Sequence, residues 1–256
     1  MIASALVLAG SRGRQDPVAT YANVTDKALI PIGGETMLSR VLGALAAAGI
    51  QRTVVSANAP AVLAEAEHHA AMSIAAAAGP SASTAAALAR LGAPLLVTTA
   101  DHALLRPEWI AGFLGQVQPG VDVAVLLARR ETIERAAPGS CRTYLRFSDG
   151  DWSGCNLFLL ATPRAQRMIE LWQEVERDRK RPWRIVWRLG PTLLARYLLG
   201  RLALSEAVAH LGRRAGIEAI IVEASDGLAA VDVDKPEDLD FVRALVGQAS
   251  PVRDLA

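Results

Sequence analysis

The chain is short of cysteine, of surplus charge and of long apolar runs, and each shortage closes off a class of protein. Cys141 and Cys155 are its only cysteines. Two thiols exclude a disulfide scaffold and a cysteine-rich zinc site, so a reducing cytoplasm is the expected compartment. No histidine pairs with Cys155 in the pattern, and a small core residue is its reading. A net charge of +1 leaves no global nucleic-acid footprint. Charges or glycines interrupt every apolar stretch before it can span a bilayer. Met1-Ile2-Ala3-Ser4 has no basic n-region, so no signal peptide is expected. No internal repeat is visible.

What is present is a chain of 256 residues, 52% hydrophobic and rich in alanine. That length suits one α/β domain, or one domain with an added subdomain, around a sizeable core. The most informative stretch runs from Ala5 to Pro31. Ala5-Leu6-Val7-Leu8 reads as a buried parallel strand. Ala9-Gly10-Ser11-Arg12-Gly13-Arg14 follows at once. Small residues let the backbone turn sharply beside a ligand, and free N–H groups in such a turn can cradle an anion. Arg12, Arg14 and Lys27 add positive charge, and a polyphosphate is the guest that fits. The alternative is a strand leading into a solvated basic loop.

Further along, Thr36 can cap a helix with apolar positions at Met37, Leu38, Val41, Leu42 and Leu45, closed by Gly49. Arg52–Ser56 reads as a strand delivering Ala57-Asn58 to its carboxyl end, where ligands of open α/β sheets gather. Asn58 can also cap the helix that begins near Pro60. Ala61–Ala71 reads as helical and Met72–Ala75 as a short strand. Gly79-Pro80-Ser81-Ala82-Ser83 opens an alanine-rich helix that Ser81 or Ser83 can cap.

Pro94–Asp101 is a buried strand ending in a carboxylate. An aspartate there, facing a polyphosphate, needs a cation between them, and Mg²⁺ takes one or two carboxylates plus phosphate oxygens. A strand at Val121–Ala128, a hairpin around Ser148–Asp151 and a strand at Trp152–Leu160 follow. Pro163–Arg177 reads as an amphipathic helix. Residues 179–214 then mix cations with tryptophan and leucine. Three readings compete for 181–204: an insert packing on its own domain, a dimer or lid surface, or a helix resting on an anionic membrane. The last would bring a cytoplasmic protein to the inner membrane face. Gly216–Val222 reads as a strand. In Asp232-Val233-Asp234-Lys235-Pro236-Glu237-Asp238-Leu239, Asp232 and Asp234 share a face if extended. One can join Asp101 on metal while the other caps the helix starting at Pro236. Residues 1–247 form the expected domain, with 248–256 a frayed tail.

Taken together, Leu8-Ala9-Gly10, the basic loop, Asp26-Lys27-Ala28-Leu29-Ile30-Pro31-Ile32-Gly33-Gly34, the T-x-A-D at Thr98–Asp101 and the D-V-D-x-P-E-D-L at Asp232–Leu239 resemble one superfamily. It is that of the MobA-like NTP transferases, which includes molybdenum cofactor guanylyltransferase-like proteins and sugar-phosphate nucleotidyltransferases. Ser11 stands where the pattern has a second glycine. The resemblance implies a three-layer α/β/α sandwich with a mainly parallel, Rossmann-like sheet of GT-A type, carrying a helical insert. It implies an enzyme moving NMP from CTP or GTP to a phosphorylated small-molecule or lipid-headgroup acceptor, with Mg²⁺, releasing pyrophosphate. Leu8, Ala9, Gly10, Ser11, Arg12, Gly13, Arg14, Lys27, Asn58 and Ser83 are implied in nucleotide binding and Asn156 in acceptor binding. Lys27, Asp101 and Asp232 are implied in catalysis, and Asp101, Asp232 and Asp234 in metal binding. Ser83, where guanylyltransferases carry glycine, leans towards cytidylyltransferases. A glycosyltransferase of similar fold, or a silent nucleotide-binding or membrane-associated protein, is the alternative.

Overall fold

A computed structural model of the chain describes residues 4–10, 16–140, 142–178 and 190–249. Strand β1, Ser4–Leu8, sits at the centre of the sheet. Its side chains alternate between two cores: Ala5 and Val7 enter one, Leu6 the other. A strand buried on both faces has no polar side to show, which is why the run is apolar without a break.

In chain order, helix α1 (Pro17–Tyr21) and a 3-10 turn at Lys27–Leu29 lead to a small hairpin of β2 (Pro31–Ile32) and β3 (Glu35–Thr36). Helix α2 (Met37–Ala47) starts on the predicted cap, with the Ser39 amide donating to Thr36 Oγ1 at 3.0 Å. Strand β4 (Arg52–Ser56), helix α3 (Pro60–His68), strand β5 (Met72–Ile74), helix α4 (Pro80–Leu91) and strand β6 (Leu95–Thr99) follow. Helix α5 (Pro107–Gly115), strand β7 (Val123–Arg129) and helix α6 (Arg130–Ala136) come next. Strands β8 (Leu145–Phe147) and β9 (Gly150–Leu160) form the expected hairpin. Helices α7 (Gln166–Asp178), α8 (Pro191–Leu198) and α9 (Leu204–Ala215), strand β10 (Ala219–Glu223) and helix α10 (Pro236–Ala249) complete the chain.

The strand order is β10-β7-β9-β6-β1-β4-β5, with β8 paired to β9. All neighbours are parallel except around β9, which runs antiparallel to both β6 and β7. Helices α2, α3, α5 and α10 cover one face of the sheet, and α4, α7 and α9 the other. The result is the three-layer α/β/α arrangement.

Several boundaries differ from the sequence reading for local reasons. Helix α3 stops at His68 rather than Ala71, because Ala70 takes a left-handed backbone (φ 55°) to turn into β5. Gly216 closes α9 with φ 68°, so the strand read from Gly216 starts at Ala219. Helix α10 runs to Ala249, two residues into the stretch read as tail. Residues 250–256 and 179–189 lie outside the described residues. In 190–214, α8 and α9 account for the predicted helical character. Helix α9 packs on β10 and α7 as part of the outer layer. Among the described residues, no helix is long and apolar enough to cross a membrane.

Candidate active site

Two groups of predicted residues meet at the carboxyl ends of the central strands. The first surrounds the end of β1. Ala9 N donates to the Ser56 carbonyl at 2.9 Å, locking the end of β1 to β4. A Cβ at Gly10 would sit 3.0 Å from Ala76 Cβ, so the loop after β5 approaches closely. Asn58 holds that loop from the other side. Its Nδ2 donates to the Ala76 carbonyl at 3.1 Å, and Ala76 N donates back to Oδ1 at 2.9 Å. Asn58 therefore clamps two loops and does not cap α3. Ser83 does the same from α4: it is buried, and its Oγ accepts from Ala77 N at 3.0 Å. Neither Ser81 nor Ser83 caps α4, whose cap residue, Gly79, has no side chain. Leu8 and Ala9 are half-buried beneath this cluster and Gly10 is exposed. Ser11, Arg12, Gly13 and Arg14 lie outside the described residues.

The second group surrounds the end of β6. The β1 and β6 ends are joined where Ala100 N donates to the Leu8 carbonyl at 3.0 Å. Asp101 is the next residue. Lys27 Nζ donates to Asp101 Oδ2 at 2.7 Å and to Asp234 Oδ1 at 2.8 Å. Thr99 Oγ1 donates to the other Asp101 oxygen at 2.5 Å. Val233 N donates to the Asp101 carbonyl at 3.2 Å, which draws the segment before α10 onto the same edge. Asp232 turns the other way. Asn156 Nδ2 donates to its Oδ2 at 2.6 Å, and Arg142 pairs with its Oδ1. Arg142 also lies 3.7 Å from Asp238 Oδ1.

A local irregularity aims Asn156. The pairing register between β7 and β9 shifts between Val125 and Leu127, a bulge that interrupts the alternation of β9. Asn156 sits in the bulge with φ 49°, a left-handed backbone that asparagine tolerates better than most residues. The polar side chain thereby reaches Asp232.

Neither Asp232 nor Asp234 caps α10, contrary to one sequence reading. Asp238 does, its Oδ2 accepting from Asp234 N at 3.1 Å and Lys235 N at 2.9 Å. The reason is competition. Lys27 and Arg142 offer the two earlier carboxylates full charges, and Asp238 sits one helical turn in, where it can reach back.

The electrostatics are lopsided. Four carboxylates, Asp101, Asp232, Asp234 and Asp238, share Lys27 and Arg142 as their cations. Burial disfavours the Lys27 ammonium, but Asp101 and then Asp234 outweigh it and hold the group above the ordinary lysine range. Asp232 goes the opposite way. Burial pushes its carboxyl up to about 6, Arg142 opposes this, and repulsion from Asp234 and Asp101 adds to it. Burial is the larger cause, and the like charges of Asp234 and Asp101 add repulsion that a further cation would relieve. Among the described residues, no three His, Cys, Asp or Glu side chains form a ready cage for a metal. Asp101 and Asp232 or Asp234 can instead supply the one or two hard oxygens that Mg²⁺ takes when phosphate provides the rest. The donor set fits that role.

Two residues at this site escaped the sequence reading. Thr99 had a signal, since it stands two residues before Asp101 on the same strand. Arg142 had none: it lies in an irregular segment and reaches Asp232 across 90 positions. Cys155 is buried on β9 with its thiol pushed up by burial, as a core residue should be. Cys141 lies outside the described residues. His102, unassigned by sequence, is buried against Trp109, and burial pulls its imidazole down to about 4, so it is neutral at physiological pH.

The family model described as the MobA-like NTP transferase domain matches residues 5–181. Among solved structures, a hypothetical transferase from Thermus thermophilus is 31% identical, with a TM-score of 0.80 over 93% of this chain and 100% of that one. A nucleotidyl transferase from Methanothermobacter has a TM-score of 0.60 at 17% identity, over 97% of this chain and 99% of that one. CMP:2-keto-3-deoxy-manno-octonic acid synthetase complexed with CTP has 0.59 at 16%, over 96% and 99%. At such identities the last two are likenesses of fold. No curated protein matches the sequence. With a matched domain running from β1 past β9 and a neighbour of 31% identity over nearly the whole chain, the protein belongs to the MobA-like NTP transferase family and is a nucleotidyltransferase.

Proposed function

We propose that the enzyme transfers NMP from CTP or GTP to a phosphorylated small molecule or lipid headgroup, with Mg²⁺, releasing pyrophosphate. The observation that carries this reading is the meeting of Lys27, Asp101, Asp232 and Asp234 beyond the end of β6, beside the loop that leaves β1. In this reading the Gly10–Gly13 amides of that loop and Lys27 hold the triphosphate, and the loops braced by Asn58 and Ser83 border the base and ribose. Ser83 supports CTP, and the likeness to guanylyltransferases supports GTP.

In the transfer, an oxygen of the acceptor phosphate attacks the α-phosphorus in line, and the bond to the bridging oxygen of pyrophosphate breaks. Such a step needs positioning and charge neutralisation more than a protein base. Asp101, with Asp232 or Asp234, would hold Mg²⁺, which would supply neutralisation of phosphate charge there. Lys27, which bridges Asp101 and Asp234, would turn its ammonium to phosphate oxygens of the bound nucleotide. Asn156, on the bulge of the antiparallel strand, borders the acceptor.

The test is pyrophosphate release with each NTP across a panel of phosphorylated acceptors. Release that needs both substrates and Mg²⁺, and that falls by at least ~10³-fold in Asp101→Ala with the fold retained, is expected. Release of a nucleoside diphosphate from a nucleotide sugar, with no pyrophosphate from any NTP, would move the protein to the glycosyltransferases.

A further inference from the structure

The tip of the α8–α9 pair keeps large apolar side chains in water. Tyr197, Leu198 and Leu199 are consecutive and 45%, 73% and 67% exposed. They end α8, and the chain turns at Gly200 (φ 63°) and Arg201 before Leu202 returns to a buried position. The tip is held in shape from within. Leu199 N donates to the Ala195 carbonyl at 3.0 Å, and Arg201 N to the Arg196 carbonyl at 2.8 Å. The Arg196 guanidinium donates to the Arg201 carbonyl at 3.1 Å and to Glu206 at 2.6 Å. The tip is also moored to the β8–β9 hairpin. Tyr197 meets Phe147 edge-on at 5.5 Å, Ser148 N donates to the Leu202 carbonyl at 2.9 Å, and Leu204 N donates to Asp149 at 2.9 Å. Leucines braced outwards on a rigid turn mark a contact surface.

Charge says what covers it. Between residues 190 and 215, which carry α8 and α9, the sequence has four Arg and one Glu, a net charge of +3. The rest of the chain therefore carries −2. The apolar tip lies inside this basic stretch. A second copy meeting this surface by two-fold symmetry would set the basic stretch against itself. A bilayer bearing anionic headgroups answers both features, taking leucines into the headgroup boundary and arginines among its phosphates.

We infer that the α8–α9 tip docks the protein on an anionic lipid surface, with Leu198 and Leu199 inserted and Arg201 against lipid phosphate. The inference goes beyond the catalytic reading and stands without it, because its test needs no nucleotide or acceptor. Purified full-length protein is sedimented with vesicles of phosphatidylcholine, alone or mixed with phosphatidylglycerol, at low and high salt. Binding to the mixed vesicles, weakened by salt, is expected. L198E/L199E should bind them ~10-fold or more weakly. Arg201→Ala should lose ~5-fold at low salt and little at high salt. Both leucines are exposed, so the fold should survive. An L198N/L199N pair gives the same comparison without added charge, and circular dichroism checks the fold of each variant. Equal binding by wild type and both double variants, or no binding to the mixed vesicles, would overturn the inference. So would a dimer in light scattering that the leucine variants abolish, which would give the tip to a second copy.

Discussion

At the scale of single residues, the site is a competition for cations. Lys27 stands between Asp101 and Asp234 where a metal and phosphate are proposed to meet. Lys27→Ala should therefore do two opposite things. It should tighten Mg²⁺ binding in the absence of nucleotide, because two carboxylates lose their cation, and weaken binding of the Mg²⁺-nucleotide. Titration of the variant with metal alone, then with metal and NTP, reads both. If metal alone binds no better than in wild type, the bridging role is wrong. Arg142 has a different part. Its side chain is 7% exposed and that of its partner Asp232 is 17% exposed. Arg142→Met should cost about 3–5 kcal/mol by leaving a buried carboxylate unpaired. Urea denaturation checks this, and a loss below about 1 kcal/mol would show that Asp232 has other support.

At the scale of elements, positions far from the carboxylates decide where they sit. The 3-10 turn Gly227–Ala230 feeds the Asp232 segment and packs on α6. A Cβ on Gly227 would lie 2.2 Å from the Thr132 carbonyl oxygen, and backbone cannot step aside as a side chain can. Gly227→Ala should lower the melting temperature and weaken metal-dependent nucleotide binding together, whereas Gly247→Ala, which sits in α10 and meets nothing within 4 Å, should lower neither. At the opposite end of the sheet, Asp122 ties three strands. Its carboxylate accepts from Thr162 Oγ1 and from Glu218 N, and Arg164 lies 3.3 Å away. Burial works against its charge, but the Thr162 and Glu218 hydrogen bonds and Arg164 win and hold the carboxyl below its ordinary 3.8. A depressed folded-state value means the contribution is complete above 3.8 and is lost as pH falls through the folded value. Asp122→Ala should cost about 1–3 kcal/mol at neutral pH, from two donors left without an acceptor. The gap to wild type should narrow as pH falls below 3.8, and a gap that stays constant down to acid unfolding would contradict this.

These elements also show what the sequence made legible. Strand β1, the end of β6 and the start of α10 were readable because each is a local pattern: an unbroken apolar run, a run ending in aspartate, a proline after paired aspartates. The clamp of Asn58 on Ala76 and the pairing of Arg142 with Asp232 were not. Each joins segments that only the sheet order brings together, and the bulge that aims Asn156 depends on the register of two long strands. Capping of α10 falls to Asp238 rather than to Asp232 or Asp234, because the cations that occupy the other two come from a 3-10 turn and an irregular segment distant in sequence.

At the scale of the molecule, the sheet sets β1, β4 and β5, where we propose the nucleotide lies, against β6, β9 and the segment before α10, where we propose the acceptor lies. The seam is the β1–β6 edge, where Asp101 follows directly on the bond between Ala100 and Leu8. The antiparallel β9 links the proposed acceptor side to the α8–α9 tip through its hairpin, so an acceptor held at a lipid surface would be approached from that side. The central claim is that Asp101 couples nucleotide binding to Mg²⁺ across this seam. The direct measurement is isothermal titration of CTP and GTP into wild type and Asp101→Asn, each with and without Mg²⁺. The account predicts that wild type prefers one nucleotide, that Mg²⁺ strengthens its binding at least ~10-fold, and that Asp101→Asn binds the same nucleotide equally with and without metal. A variant in which Mg²⁺ strengthens binding as much as in wild type would contradict it.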